Sequence, residues 1–161
     1  MSRITGAATV AMLLTSVGCA GGTSNLPATR LLELINQKRS EAGCQSVSGN
    51  DTLRVAAEQH VVDMRDHNAH LQIGTDGHTG TDGSRPEQRI VAAGYTPISR
   101  SGEILYYSTD PAANEATNVA WWMNSPPHRA VMLNCDFTDA GVGLVYPGGT
   151  RWYSVVDFGR H

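Results

Sequence analysis

The end of the chain alternates. In "AGVGLVY", Val142, Leu144 and Tyr146 fall on one face of an extended segment. "PGG" supplies a turn and "RWYSVVDFG" reads as a second strand. This antiparallel hairpin closes a sequence whose earlier apolar residues recur at helical spacing instead. A chain so arranged buries both patterns by packing helices against a small sheet, which makes it α+β.

The helical stretches come first. In "ATRLLELINQKRSEAG", Leu31, Leu34, Ile35 and Lys38 share a stripe, with Pro27 suited to the first turn and Gly43 to the stop. "SGNDTLRVAAEQHVVDMRDH" offers Asp51 and Thr52 as caps, then Leu53, Ala56, Ala57, His60, Val61 and Met64 at helical spacing. Ser84 and Glu87 fit a capping box around Pro86, opening a short helix through Ile90 and Val91 that ends at Gly94. "SGEILYYST" is read as a turn entering a strand, and Asp110 and Pro111 as the start of a helix through Val119, Trp122 and Met123. Pro126 breaks that helix, and "NSPPHRAVMLN" supplies further turns. Because Pro127 disfavours the α conformation at Pro126, this last helix is expected to begin one residue late, with His128 in its first turn. Adjacent Trp121 and Trp122 cannot share one core; Trp122 fits the buried stripe, which leaves Trp121 for an exposed aromatic rim suited to a lipid or a glycan.

The 161 residues suffice for one core, and a net charge of −3 is no electrostatic footprint for nucleic acid. Residues 1–18 combine Arg3 with an apolar run and small residues, the pattern of an export signal. Two processing readings stay open, beside the bland alternative of an uncleaved disordered or helical tail. "SVGC" resembles a lipobox, with lipid carried on Cys19 although Ser16 stands where leucine is usual; alternatively, an ordinary signal peptidase cuts at "GCA". Either reading makes the protein extracytoplasmic, membrane-anchored or secreted. Residues 19–27 then form a linker and 28–161 the domain. With Cys19 lipidated, Cys44 and Cys135 can pair in an oxidising compartment; two buried free thiols are the alternative.

Six histidines carry most of the available chemistry. His60 lies on an apolar helical face and reads as a core histidine held by a hydrogen bond. His67 and His70, at that helix's end, read as exposed, and His161 as a terminal residue without a role. His78 differs, in a glycine- and threonine-rich loop with no apolar periodicity. So does His128, where the positive end of a helix dipole favours the neutral imidazole that a metal or a proton acceptor requires. Glu103 follows a glycine at a strand entrance. Two histidines and a carboxylate at element ends can form an open metal site or an acid–base cluster. Ser125 reads as a helix cap, too close to His128 in sequence to be activated readily by it.

The segments "LLELINQKRSEAG", "LRVAAEQHVVDM", "GHTGTDGSRPEQRIVAAGY", "GEI", "WWMNSPPHRAVMLNCDFTDAGVGLVY" and "WYSVVDFG" together resemble the CAP superfamily, the SCP-like domains related to cysteine-rich secretory and pathogenesis-related proteins. The resemblance runs from about Leu31 to Gly159 and is most specific in its second half. It implies a three-layer α-β-α sandwich whose cleft is lined by His78, Glu103 and His128. It implies a divalent metal, most often zinc, on His78 and His128. The sequence departs from the family in three places. Gly-Glu-Asn is here Gly-Glu-Ile104, Ser-Pro-Gly-His is Ser-Pro-Pro127-His, and "WWMNSPP" carries no second cleft glutamate. These departures favour a binding module for a small hydrophobic, envelope or protein ligand. The competing expectation is a metal-dependent hydrolase or peptidase with Glu103 as the base for a metal-bound water. An inert surface scaffold is the third, since fold does not dictate function.

Overall fold

The computed structural model describes residues 26–67, 77–146 and 151–161. The segments read from sequence as an export signal and a "PGG" turn, with Cys19 and His70, lie outside the described residues. Helix α1 spans Leu26–Glu41, α2 Asp51–His67, α3 Pro86–Ala92, α4 Glu115–Asn124 and α5 Pro126–Met132. Strands are β1 Ser48–Gly49, β2 Arg100–Ser108, β3 Asp139–Val145 and β4 Trp152–Arg160. The sheet order is β1-β3-β4-β2. The three long strands are antiparallel, as the tail pattern predicts, while the two-residue β1 runs parallel to β3 and makes the sheet mixed.

Strand alternation sorts the side chains into two cores. Ile104, Tyr106, Val142, Val156 and Phe158 point to one face, where Leu31 and Ile35 of α1, Val119 and Trp122 of α4 and Met132 of α5 cover them. Leu105, Tyr153 and Val155 point to the other, against Ala57, Val61 and Met64 of α2. A smaller cluster of Leu53, Ala56, Ile90 and Tyr95 joins α2 to α3. The result is helix, sheet, helix, as the resemblance implies.

Gly141 and Gly143 explain how closely α2 sits. A Cβ on Gly141 would overlap the backbone of Leu53 and Arg54, and one on Gly143 that of Ala57 and Glu58. The alternation in "AGVGLVY" therefore has two meanings: Val142 faces one core, and the glycines between admit a helix backbone on the other side.

Several boundaries differ from the sequence reading. Asn50, not Asp51, caps α2, its Oδ1 accepting from the backbone N–H of Thr52 and Leu53. The frame at α3 is shifted by one residue, with the Arg85 N–H donating to Gln88 Oε1 at 2.8 Å. Asp110 closes a turn through the Ala112 N–H, and α4 starts only at Glu115, capped by Asn114. Helix α5 begins at Pro126 itself, because neither of its first two positions needs an N–H donor. The first-helix stripe ends not on Lys38 but on Arg39, which is fully buried.

Arg39 is a hub. Its Nε donates to the Gln45 carbonyl, its Nη1 to those of Met132 and Asn134, and its Nη2 to that of Phe137. The segment between α5 and β3 is thus fastened to α1 through its backbone. Beside it, Cys44 and Cys135 form a disulfide with a Cα–Cα separation of 4.9 Å, so the oxidised alternative is the one realised.

Two substitutions test this packing by urea denaturation. Gly143→Ala should cost at least about 2 kcal/mol, because the backbone of α2 cannot yield as a side chain can. Arg39→Met, which keeps much of the volume but strands four carbonyls, should cost at least about 3 kcal/mol. Losses under about 0.5 kcal/mol in either variant would show that α2 or the α5–β3 segment is held elsewhere.

Candidate functional site

The candidate site lies along β2, one of the two edge strands of the sheet. Glu103 is inside this strand rather than at its entrance, and its side chain is only 1% exposed. His78 Nδ1 donates to Glu103 Oε1 at 2.7 Å. Arg89 of α3 donates from Nη2 to Glu103 Oε2 at 2.7 Å and to the His78 carbonyl at 3.0 Å. Its Nη1 reaches the Ser84 carbonyl, so one guanidinium ties the loop carrying His78 to both α3 and β2. On the other flank of that loop, buried His60 bonds through Nε2 to the Gly77 carbonyl at 2.9 Å. Burial lowers the pKa of His60, so it serves as a neutral donor. The core histidine anticipated from sequence thus positions the residue just before His78.

Directly across the strand pair from Glu103 stands Asp157, fully buried. Two facing carboxylates in a dry interior repel. Burial first, then the charge of Glu103, raise the pKa of Asp157 well above the usual carboxylate range. Arg89 and Glu103 therefore form the ion pair, while Asp157 is pushed toward its protonated form.

His128 comes from the other layer, in the first turn of α5. The charge of His78 disfavours protonation of His128. The pKa of His128 is lowered, mainly by burial and secondarily by His78, so the neutral imidazole expected from the sequence is favoured. Its Nδ1 lies 2.7 Å from Ser125 Oγ, and Ser125 makes no side-chain cap on α5. The capping role assigned to Ser125 from sequence is thus replaced by a bond to the imidazole. Trp122 is fully buried and donates to the Leu105 carbonyl, whereas Trp121 is 46% exposed, its ring 4.9 Å from that of His128 and 5.5 Å from that of Tyr106.

Among the described residues, no three His, Cys, Asp or Glu side chains are grouped to hold a metal ion. His67 is exposed and bonds Asp63, and His161 stacks on Tyr95 and bonds the Pro97 carbonyl. Sequence reasoning missed Arg89 and Asp157. A carboxylate inside the otherwise uncharged "WYSVVDFG" was the available signal for Asp157, since buried charges are paired or neutralised. Nothing local marked Arg89.

The raised pKa of Asp157 has a signed consequence for stability. The folded state holds this proton above the ordinary aspartate value of 3.8, where the unfolded chain releases it, so the residue's contribution is full below that pH and is lost as pH rises toward the folded value. Asp157→Asn removes this dependence. Relative to wild type, the variant should gain stability between pH 4 and pH 8 in paired denaturation curves; a constant difference would mean that Asp157 ionises normally.

The cysteine-rich secretory protein family matches residues 32–158. An outer surface protein of Borrelia burgdorferi has the same fold, with a TM-score of 0.72 at 22% identity, covering 86% of this chain and 95% of that one. An extracellular SCP-domain protein of Bacillus anthracis superposes with a TM-score of 0.70 at 23% identity, over 85% of this chain and 41% of that one. An uncharacterized membrane protein of Bacillus subtilis is 28% identical over 117 residues, 71% of this chain; the match spans only 30% of the relative's length. Among the described residues no helix is long and apolar enough to cross a membrane. With the family match covering most of the chain and the sandwich shared with these structures, the protein belongs to the cysteine-rich secretory protein family and carries its CAP domain.

Proposed function

We propose that this chain is an exported CAP-domain binding module. In this reading it is anchored through lipid on Cys19 or secreted, and takes a small hydrophobic, envelope or protein ligand in the cleft between His78 and His128. The observation that carries the reading is the state of Glu103. Both of its oxygens are committed, one to His78 and one to Arg89, and the side chain is buried. A carboxylate so held orients an imidazole; it is badly placed to take a proton from water. The hydrolase alternative thereby loses the base it was assigned. Exposed Trp121 beside His128 gives the cleft an apolar lip for the ligand.

A divalent metal fits this donor set in part. Nδ1 of each imidazole is engaged by an oxygen, of Glu103 or of Ser125, so coordination falls to the two Nε2 atoms. Neutral imidazoles backed by hydrogen-bonded oxygens suit zinc. His78 and His128 would supply two positions and leave the others to water or ligand. A zinc ion held there acts as a Lewis acid or a docking point.

Calorimetric titration of zinc into wild type and His128→Ala tests the metal, with an expected loss of at least about tenfold in affinity. Incubation with a peptide panel and with phospholipid vesicles, with and without zinc, tests the rest. Capture without turnover, weakened by Trp121→Ala, is the expected result. Zinc-dependent peptide cleavage abolished by Glu103→Gln would overturn the binding reading in favour of the hydrolase.

A further inference from the structure

We infer that the open edge of β2 is a docking site for an extended peptide, which adds to the sheet as a further strand along Ser101 to Leu105. The inference rests on the binding-module reading and names the ligand class for the same site.

The direction of each main-chain group on β2 follows from bonds elsewhere in the sheet. The Asn50 N–H donates to the Ala140 carbonyl, so Ala140 turns its main chain toward β1. Alternation then turns Gly141 toward β4, and its partner Asp157 toward β3. Asp157 also stands opposite Glu103. With Asp157 facing β3, the two pair without hydrogen bonds, and the N–H and C=O of Glu103 point away from the sheet. Ser101 and Leu105 share that phase. A separate contact gives the same answer: the Leu105 carbonyl accepts the indole N–H of Trp122 at 2.7 Å, from outside the sheet.

This indole closes the edge at Leu105. Before it, no hydrogen bond meets the outward groups of Ser101 and Glu103 among the described residues. Glu103 as a whole is 7% exposed while its side chain is 1% exposed, so the surface that solvent reaches is mostly main chain. Such an edge presents a donor and an acceptor at every second residue, about 6.8 Å apart. A lipid or a glycan carries no N–H and C=O at that repeat, and a polypeptide does. The side chain directly opposite Glu103 would point to the His78 side, and its neighbours to the side of α4 and α5. On that side the half-exposed ring of Trp121 lies 5.5 Å from that of Tyr106 and suits an apolar side chain. The ligand is thus an extended peptide with apolar residues at alternate positions.

Amide hydrogen exchange in the free protein, followed by NMR, tests the edge itself. The N–H groups of Ser101 and Glu103 should exchange at least about 100-fold faster than those of Gly102 and Ile104, which face β4. Equal protection overturns the inference. So does protection that grows with protein concentration, which would give the edge to a second copy. Titration of the nitrogen-15-labelled protein with capped hexapeptides that alternate apolar residues with threonine tests the ligand. Binding should protect the Ser101 and Glu103 amides. N-methylation of the peptide should weaken binding at least about tenfold at alternate amides and under about threefold at those between. Ser101→Pro should weaken it at least about tenfold, since an edge strand tolerates proline where the N–H faces outward. Unchanged protection of Gly102 and Ile104 shows that this variant keeps its fold. No peptide binding, or N-methyl effects without alternation, overturns strand addition. Vesicle capture that leaves the Ser101 and Glu103 amides unmoved would uphold the binding module and still overturn this inference.

Discussion

One buried guanidinium sets the position of nearly everything that matters here. Arg39 reaches out of α1 and donates to four backbone carbonyls, three of them in the stretch from the end of α5 to the approach to β3. A helix end leaves carbonyls that must be satisfied, and a short irregular stretch leaves more. Arg39 supplies those donors from inside the protein, where water cannot. The disulfide between Cys44 and Cys135 clamps the same two segments covalently. Together they hold α5, and with it His128, against a sheet that it would otherwise meet only through side chains such as Met132 and Val131.

The other side of the cleft is governed by charge balance. Glu103, Arg89 and Asp157 lie in an interior where an isolated charge is costly, and removal of one partner from a buried ion pair typically costs about 3–5 kcal/mol. Pairing Arg89 with Glu103 and pushing Asp157 toward its protonated form favours a group that is neutral overall. The arrangement also assigns one job to each oxygen of Glu103. One balances the guanidinium and the other orients His78. The orientation of His78 is therefore set by groups buried beneath it.

How far the sequence revealed this depends on the range of each interaction. Local periodicity located α2 residue by residue: Leu53, Ala56, Ala57, His60, Val61 and Met64 are all buried. The tail alternation located β3 and β4, and the choice between the two tryptophans follows from helical spacing alone. Errors arose where two local signals competed. Asp110 looks like a helix cap but closes a turn first, and Asn114 starts the helix. Arg39 and Arg89 were opaque because a basic residue beside an apolar stripe is usually a solvated neighbour, and only carbonyls and carboxylates distant in sequence make it a core residue. Position in the chain, and then the resemblance, singled out His78, Glu103 and His128, while the bonds that Ser125 and Arg89 make to them came only from coordinates.

The glycine pair in β3 gives the cleft an uneven mechanical character. With backbone resting on backbone at Gly141 and Gly143, α2 and the sheet behave as one thick plate. That plate carries Glu103 and, through Arg89 and His60, braces the loop of His78. Across from it stands the short helix α5, pinned at its far end, with the exposed ring of Trp121 from α4 against His128. In the proposed binding role, a guest of awkward shape would meet one unyielding wall and one that can be re-cut by exchanging a few surface side chains. Diversification of ligand range in a scaffold like this should accordingly collect on the tryptophan side and spare the plate.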